Sequence, residues 1–178
     1  NTALTPAVAN YIRGDRTQEP QFNATGVMRD RNTLLGDIVN SSPTYVKSSS
    51  TVETVYVGAN DGMLHAFNAT DGVERFAYVP RGIDLAKLKA YSEPDYSHHF
   101  FVDGPIITST SRELANRTVL VGGLGRGGKG LYALDITDPT IFGPAKVLWD
   151  IDSSFDGDMG QILSRPIIAK LNNNIALA

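Results

Sequence analysis

The sequence predicts an all-β fold: a partial β-propeller of about two full four-stranded blades and the start of a third. Three observations predict it. Val55 to Val79 alternates short apolar runs with turn clusters, Gly58-Ala59-Asn60-Asp61-Gly62 and Asn68-Ala69-Thr70-Asp71-Gly72. Asn and Gly tolerate the positive φ of tight turns, so this reads as a three-stranded meander ended by Pro80. The pattern returns at Thr118 to Ile151, where Val57-Gly58 answers Val121-Gly122 at an offset of 64 and Leu64 answers Leu131 at 67. The second hairpin loop is therefore expected to carry three extra residues. Finally, a small or polar residue, a proline and an apolar run recur at Ser42-Pro43-Thr44, Gly104-Pro105-Ile106 and Arg165-Pro166-Ile167. Proline suits the start of a strand, where it interrupts no ladder bond. Each unit is thus a proline-led strand plus a meander, and four-stranded units in series describe propeller blades.

Blades are expected near 37–80, 102–151 and 163–178 onward, within a propeller segment 34–178 that follows a helical and irregular lead-in, 1–33. The last residues, Asn174-Ile175-Ala176-Leu177-Ala178, fall inside the expected second strand of a third blade. A closed propeller needs about four blades or more, so this chain is expected to be part of a longer one.

In the lead-in, Thr5-Pro6 opens a short helix that ends at Gly14, with Thr as cap and Pro at the first helical position. Asp84 caps a second short helix through Leu85, Leu88 and Lys89, expected to pack on a propeller face. Asp37 and Asn40 read as loop-fixing residues that bond nearby backbone amides.

Several strings together carry a resemblance. L-G-D-I-V-N-S-S-P (35–43), V-Y-V-G-A-N-D-G-M-L-H-A-F (55–67), F-A-Y-V-P (76–80), F-V-D-G (101–104), V-L-V-G-G-L-G-R-G-G-K-G-L-Y-A-L-D-I-T-D-P (119–139) and D-M-G-Q-I-L-S-R-P-I-I (158–168) occur in this order. From about Tyr11 to the end the chain resembles the C-terminal propeller of PilY/PilC-type proteins, tip-associated adhesins and assembly factors of bacterial type IV pili. The 55–67 string alone is shared in pattern with quinoprotein-like blades. The resemblance implies a non-enzymatic adhesion and assembly module at the pilus tip, exported through the periplasm and outer membrane. It implies minor pilins of the tip, a host or abiotic surface receptor and the rest of its own propeller as partners, and Ca²⁺ as a modulator.

Composition narrows the alternatives. Net charge is −3 with both signs interspersed, which argues against a nucleic-acid partner. There is no cysteine and one tryptophan, Trp149. A pyrroloquinoline-quinone dehydrogenase, the enzymatic alternative, resembles these blades but uses tryptophan-rich docking motifs and often a vicinal cysteine pair. No membrane-spanning apolar run is present. A purely structural scaffold is the third reading.

Candidate sites are few. Asp150, Asp152, Asp156 and Asp158 lie close together, and Asp152-x-Ser154-x-Asp156-Gly157-Asp158 matches the first half of an EF-hand-type loop. Leu163 stands where the bidentate Glu belongs. Clustered carboxylates repel, and a Ca²⁺ ion would relieve that; the other reading is a solvated acidic loop. Arg13-Gly14-Asp15 is an adhesion-type tripeptide, or a helix cap between two solvated charges. His98 and His99, with His65 the only histidines, read as packing residues, because neighbours on a strand face opposite ways. The glycine loop 122–130 matches the spacing of dinucleotide and P-loop motifs. Both motifs need a following helix, and a strand is expected at Leu131-Tyr132-Ala133-Leu134. The loop is read instead as a flexible, exposed hairpin insert.

Overall fold

A computed structural model describes residues 4–109, 114, 116–170 and 176–177. Helix α1, Pro6–Ile12, starts as its sequence dictates: the Thr5 hydroxyl accepts from the Val8 amide at 3.3 Å and Pro6 occupies the first turn. Gly14 follows at φ +107°, a conformation that favours glycine.

The first sheet holds β1 (Thr44–Lys47), β2 (Glu53–Gly58), β3 (Leu64–Asn68) and β4 (Glu74–Tyr78) in chain order, all antiparallel. The second holds β5 (Ile106–Thr108), β6 (Val119–Gly123), β7 (Gly130–Asp135) and β8 (Val147–Asp152) in the same order. These are the two blades that the repeat predicts. A short pair, β9 (Ala169–Lys170) and β10 (Ala176–Leu177), follows. Asn174, Ile175 and Ala178 of the expected terminal strand lie outside the described residues.

The repeat is stricter than the sequence suggests. Tyr56 pairs with Ala66, and Val121 pairs with Ala133. Ala66 and Ala133 match at 67, so Tyr56, and not Val57, answers Val121, at 65. The second hairpin is longer by two residues, not three. The error arises because V-x-V-G occurs in both blades while Gly123 adds a second glycine. A one-residue slip exchanges the faces of a strand, so the corrected register decides which side chains meet. Each sheet also carries an irregularity at the same place, Ala66/Phe67 and Ala133/Leu134.

The core lies between the sheets. Phe76 of β4 stacks on Phe142 with centroids 3.7 Å apart, and Tyr78 tilts against Tyr132 at 5.6 Å. Tyr56, Leu64, Leu120 and Leu134 are fully buried beside them. Burying such side chains contributes roughly 1.5–3 kcal/mol each. The opposite face of the second sheet, with Val119, Val121 and Ala133, is covered by Trp149 and Ile168. The three-residue helical turns Gly125–Gly127, Pro139–Ile141 and Pro144–Lys146 fill the connections of the second blade.

The glycine loop departs from expectation. It is packed, not an exposed flexible insert: Gly122 to Gly125 are buried, with only Arg126 and Lys129 exposed. A Cβ at Gly127 would overlap the Phe101 carbonyl, and one at Gly104 would overlap Gly123. Glycine here allows two backbones to touch. The strand that follows, β7, removes the helix both phosphate motifs require.

The lead-in holds an ion-pair network that the polar stretch 18–31 conceals. The Glu19 side chain is fully buried and accepts from the Arg31 amide at 3.0 Å and from Arg31 Nε at 2.8 Å. Arg16 Nη2 reaches Glu19 at 2.9 Å. Burial would raise the carboxyl pKa, but bonds from Arg16, Arg31 and Gln21 outweigh it and hold it at about 2.

Candidate functional site

Three of the strings that carry the resemblance, 35–43, 55–67 and 101–104, converge on the tip of the β2–β3 hairpin. Asn60 and Asp61 are buried, and only Gly62 takes a positive φ, +95°. The two polar residues therefore serve as bonding centres, not as turn formers. The Asn60 amide donates to the Asp37 carbonyl at 2.9 Å, its Nδ2 donates to the Asp37 carboxylate at 3.1 Å, and its Oδ1 accepts from the Phe101 amide at 3.0 Å. Asn40 donates through its amide and Nδ2 to Asp103 at 3.0 and 2.7 Å. Ser41 Oγ accepts from the Gly58 amide at 2.9 Å. Asp37 and Asn40 do fix loops, but by tying the segment before β1 to the entry of the second blade. Leu88 of α2 (Leu85–Ala90), capped by Asp84, fills the space beneath Gly62.

Asp61 links this tip to the outer face of the first sheet. Its carboxylate accepts from the Gly36 amide at 2.7 Å and the Met63 amide at 3.1 Å, and both its oxygens lie 3.1 Å from His65 Nε2. On the other side of the ring, Nδ1 is 2.6 Å from Glu74 Oε1. His65 is 4% exposed. Burial opposes its charge, but the bond to and charge of Asp61, then those of Glu74, outweigh burial and raise its pKa. Between two carboxylates both ring nitrogens act as donors in the protonated form. In that form neither nitrogen is free to take a proton from a nucleophile.

His65 and Glu74 line a cleft of about 760 Å³ whose walls include Ile12, Leu34, Phe67 and Ala77. Arg13 of the tripeptide lines it too. Sequence reasoning does not find this site, since Asp61, His65 and Glu74 are spread over a hairpin and a neighbouring strand. The signal available was the alternation on β3, which places His65 opposite Leu64 and Ala66.

The predicted acidic group is dispersed by its own hydrogen bonds. Asp150 is on β8, where its Oδ2 accepts from the Tyr78 hydroxyl and from the Arg81 amide at 2.7 Å. Its Oδ1 is buried without a protein partner, and burial raises its pKa. Asp152 accepts from the Ser154 amide at 2.8 Å, and Asp156 accepts from the Asp158 amide at 2.9 Å. Among the described residues, no three His, Asp or Glu side chains are gathered as a metal-binding group. Asp150, Asp152, Asp156 and Asp158 are not among such a group in this structure.

Arg13 and Asp15 are exposed, while Gly14 makes the turn between them. The Asp15 carboxylate is tied to the Thr17 amide at 2.8 Å. His98 and His99 lie outside any strand, and His98 Nε2 meets the Asp37 carboxylate at 2.9 Å on the surface.

The chain is similar to known proteins. Residues 40–176 match the family model described as the PilY1 beta-propeller domain. A type IV pilus biogenesis factor PilY1 homolog of Xylella fastidiosa is 43% identical over 97% of this chain and 16% of its own length. The type IV pilus biogenesis factor PilY1 of Pseudomonas aeruginosa strain PAK is 40% identical over 92% of this chain and 16% of its own. The chain thus spans about a sixth of these relatives. The crystal structure of the Pseudomonas aeruginosa PilY1 C-terminal domain is 36% identical, covers 71% of this chain and 24% of that one, and superposes with a TM-score of 0.49. No helix among the described residues is long and apolar enough to cross a membrane. On the extent of the match to residues 40–176, the chain belongs to the PilY1 β-propeller domain family.

Proposed function

We propose that this chain is a non-enzymatic part of a type IV pilus biogenesis factor, which displays loops for pilus-tip subunits and for a surface receptor. The observation that carries this reading is the family match across both sheets, with relatives that are themselves named biogenesis factors. The geometry supports a display role. The loops before β1, at the β2–β3 tip and ahead of β5 are cross-bonded into one rigid end, so partner-binding loops would be held without ordering cost. Bacterial surface and pilus-tip localisation, reached by export through the periplasm and outer membrane, follows from the same reading.

Binding of the full-length protein to the assembled minor-pilin tip complex tests it, alongside pilus counts in a strain lacking the gene. Saturable binding and loss of surface pili are expected. No binding together with normal piliation overturns the reading.

Calcium modulation at Asp150, Asp152, Asp156 and Asp158 would draw on the carboxylate oxygens that Asp152 and Asp156 do not use in their turns. Calorimetric titration of the full-length protein with Ca²⁺ tests this. Heat that Asp156→Ala removes supports a site here, and heat unchanged by the substitution removes this loop from the reading.

A further inference from the structure

The two sheets stack in one direction. The face of the first sheet that carries Tyr56, Ala66, Phe76 and Tyr78 packs on the face of the second that carries Tyr132 and Leu134. The other face of the second sheet meets Ile168, from the segment that follows it. In the corrected register, Tyr132 answers His65. The outer face of the first sheet, with Val55, Val57, His65 and Phe67, is therefore the counterpart of a face covered by its neighbour elsewhere in the molecule.

That outer face is apolar and only partly covered. Ala77 is exposed, Val79 is 40% exposed, and Phe67 lines the cleft. The relatives are about six times as long as the stretch they share with this chain, so the family contains polypeptide enough for further blades. A further blade of the same propeller is the occupant that the stacking direction requires.

The chemistry of this face is not that of the aromatic seam between the first and second sheets. The groups facing the ring are Asp61 from the hairpin and Glu74 from β4; Arg13, just after α1, lines the same cleft, and α2 contributes only Leu88. Glu74 is half exposed and Asp61 is buried. When the ring loses its second proton, one nitrogen can no longer donate. Asp61 keeps two backbone donors, so Glu74 is the carboxylate that lets go, and it turns into the cleft rim as an unpaired charge.

We propose that the outer face of the first sheet is an ion-latched blade seam, seated by a further blade of the propeller while protonated His65 holds Glu74, and loosened when the ring is neutral. The sign follows from the raised pKa of the folded protein: the latch is intact below about pH 6.5, the ordinary histidine value, and is lost as pH rises through the folded value.

Site-specific thiol labelling of the full-length protein tests the seam. Ala77→Cys reports on the face, and Val73→Cys, at a turn position that is 63% exposed, corrects for thiol reactivity at each pH. Mass spectrometry reads each introduced site. Ala77→Cys is expected to react at least tenfold more slowly than Val73→Cys at pH 6, with the gap closing several-fold by pH 9. In His65→Gln the gap should not change with pH. Equal reaction at both sites at pH 6 overturns the docked blade. Protection that depends on protein concentration overturns it in favour of a second copy of the chain. Protection that is the same at both pH values in the parent protein overturns the latch.

Discussion

Residues 65 and 132 occupy the same register position in the two sheets, yet the chain solves the two sites in opposite ways. Tyr132 is fully buried under Tyr78, in a seam of aromatic rings. His65 is nearly as buried, but it sits between Asp61 and Glu74. The aromatic seam rests mainly on shape and apolar area, with the Tyr78 hydroxyl bonded to Asp150 at its edge. The ionic site needs three groups in set protonation states, and removing His65 leaves the buried Asp61 carboxylate without that partner. A repeated backbone thus fixes where a seam falls, while one side chain decides whether the seam responds to conditions.

Breaking the aromatic side should have the largest effect. Tyr132→Ala is expected to destabilise by about 3–5 kcal/mol, as truncations of large buried rings do, read as a lowered urea midpoint. A loss below about 1 kcal/mol would mean that the Tyr78 seam contributes little. Converting the ionic side comes next. His65→Phe makes the two positions alike but leaves Asp61 short of a donor, so a cost of about 1–3 kcal/mol is expected. A gain in stability instead would show the array to be dispensable.

The pH dependence sharpens the contrast. Between pH 6 and 9 the parent protein should lose stability as His65 deprotonates, since its folded pKa is raised. Glu74→Gln should reduce that drift. The change should stay below about 1 kcal/mol, because Glu74 is half exposed and screened. A drift identical in the variant would assign the effect to Asp61 alone. Asp150→Asn is expected to cost about 1–3 kcal/mol, because the amide oxygen can still accept from Tyr78 and Arg81 but the NH2 takes the place of Oδ1, which is buried without a protein partner. A larger loss would instead point to a cation held by that carboxylate.

The sheets were legible in the sequence because alternation and turn chemistry act over a few residues. The meander, the proline-led strands and both capped helices follow from local rules. What was not legible depends on partners far along the chain. Glu19 and Arg31 look like solvated charges until the fold closes them on each other. The glycine loop looks loose until Phe101 and Gly104 arrive against it. Asp61 and Glu74 become a site only once β4 lies beside β3. The aspartate cluster shows the converse: nearness in sequence says nothing of direction, and strand β8 turns Asp150 inward while Asp152 and Asp156 each cap a turn of the loop beyond it.

The matched irregularities at Ala66/Phe67 and Ala133/Leu134 have a consequence for geometry at larger scale. An extra residue at one point of a strand pair adds right-handed twist there. Placed identically in successive units, it imparts the same increment of rotation each time. Ring curvature then becomes a property encoded once per unit, so deleting a single bulge residue such as Arg75 would alter the pitch of the stack.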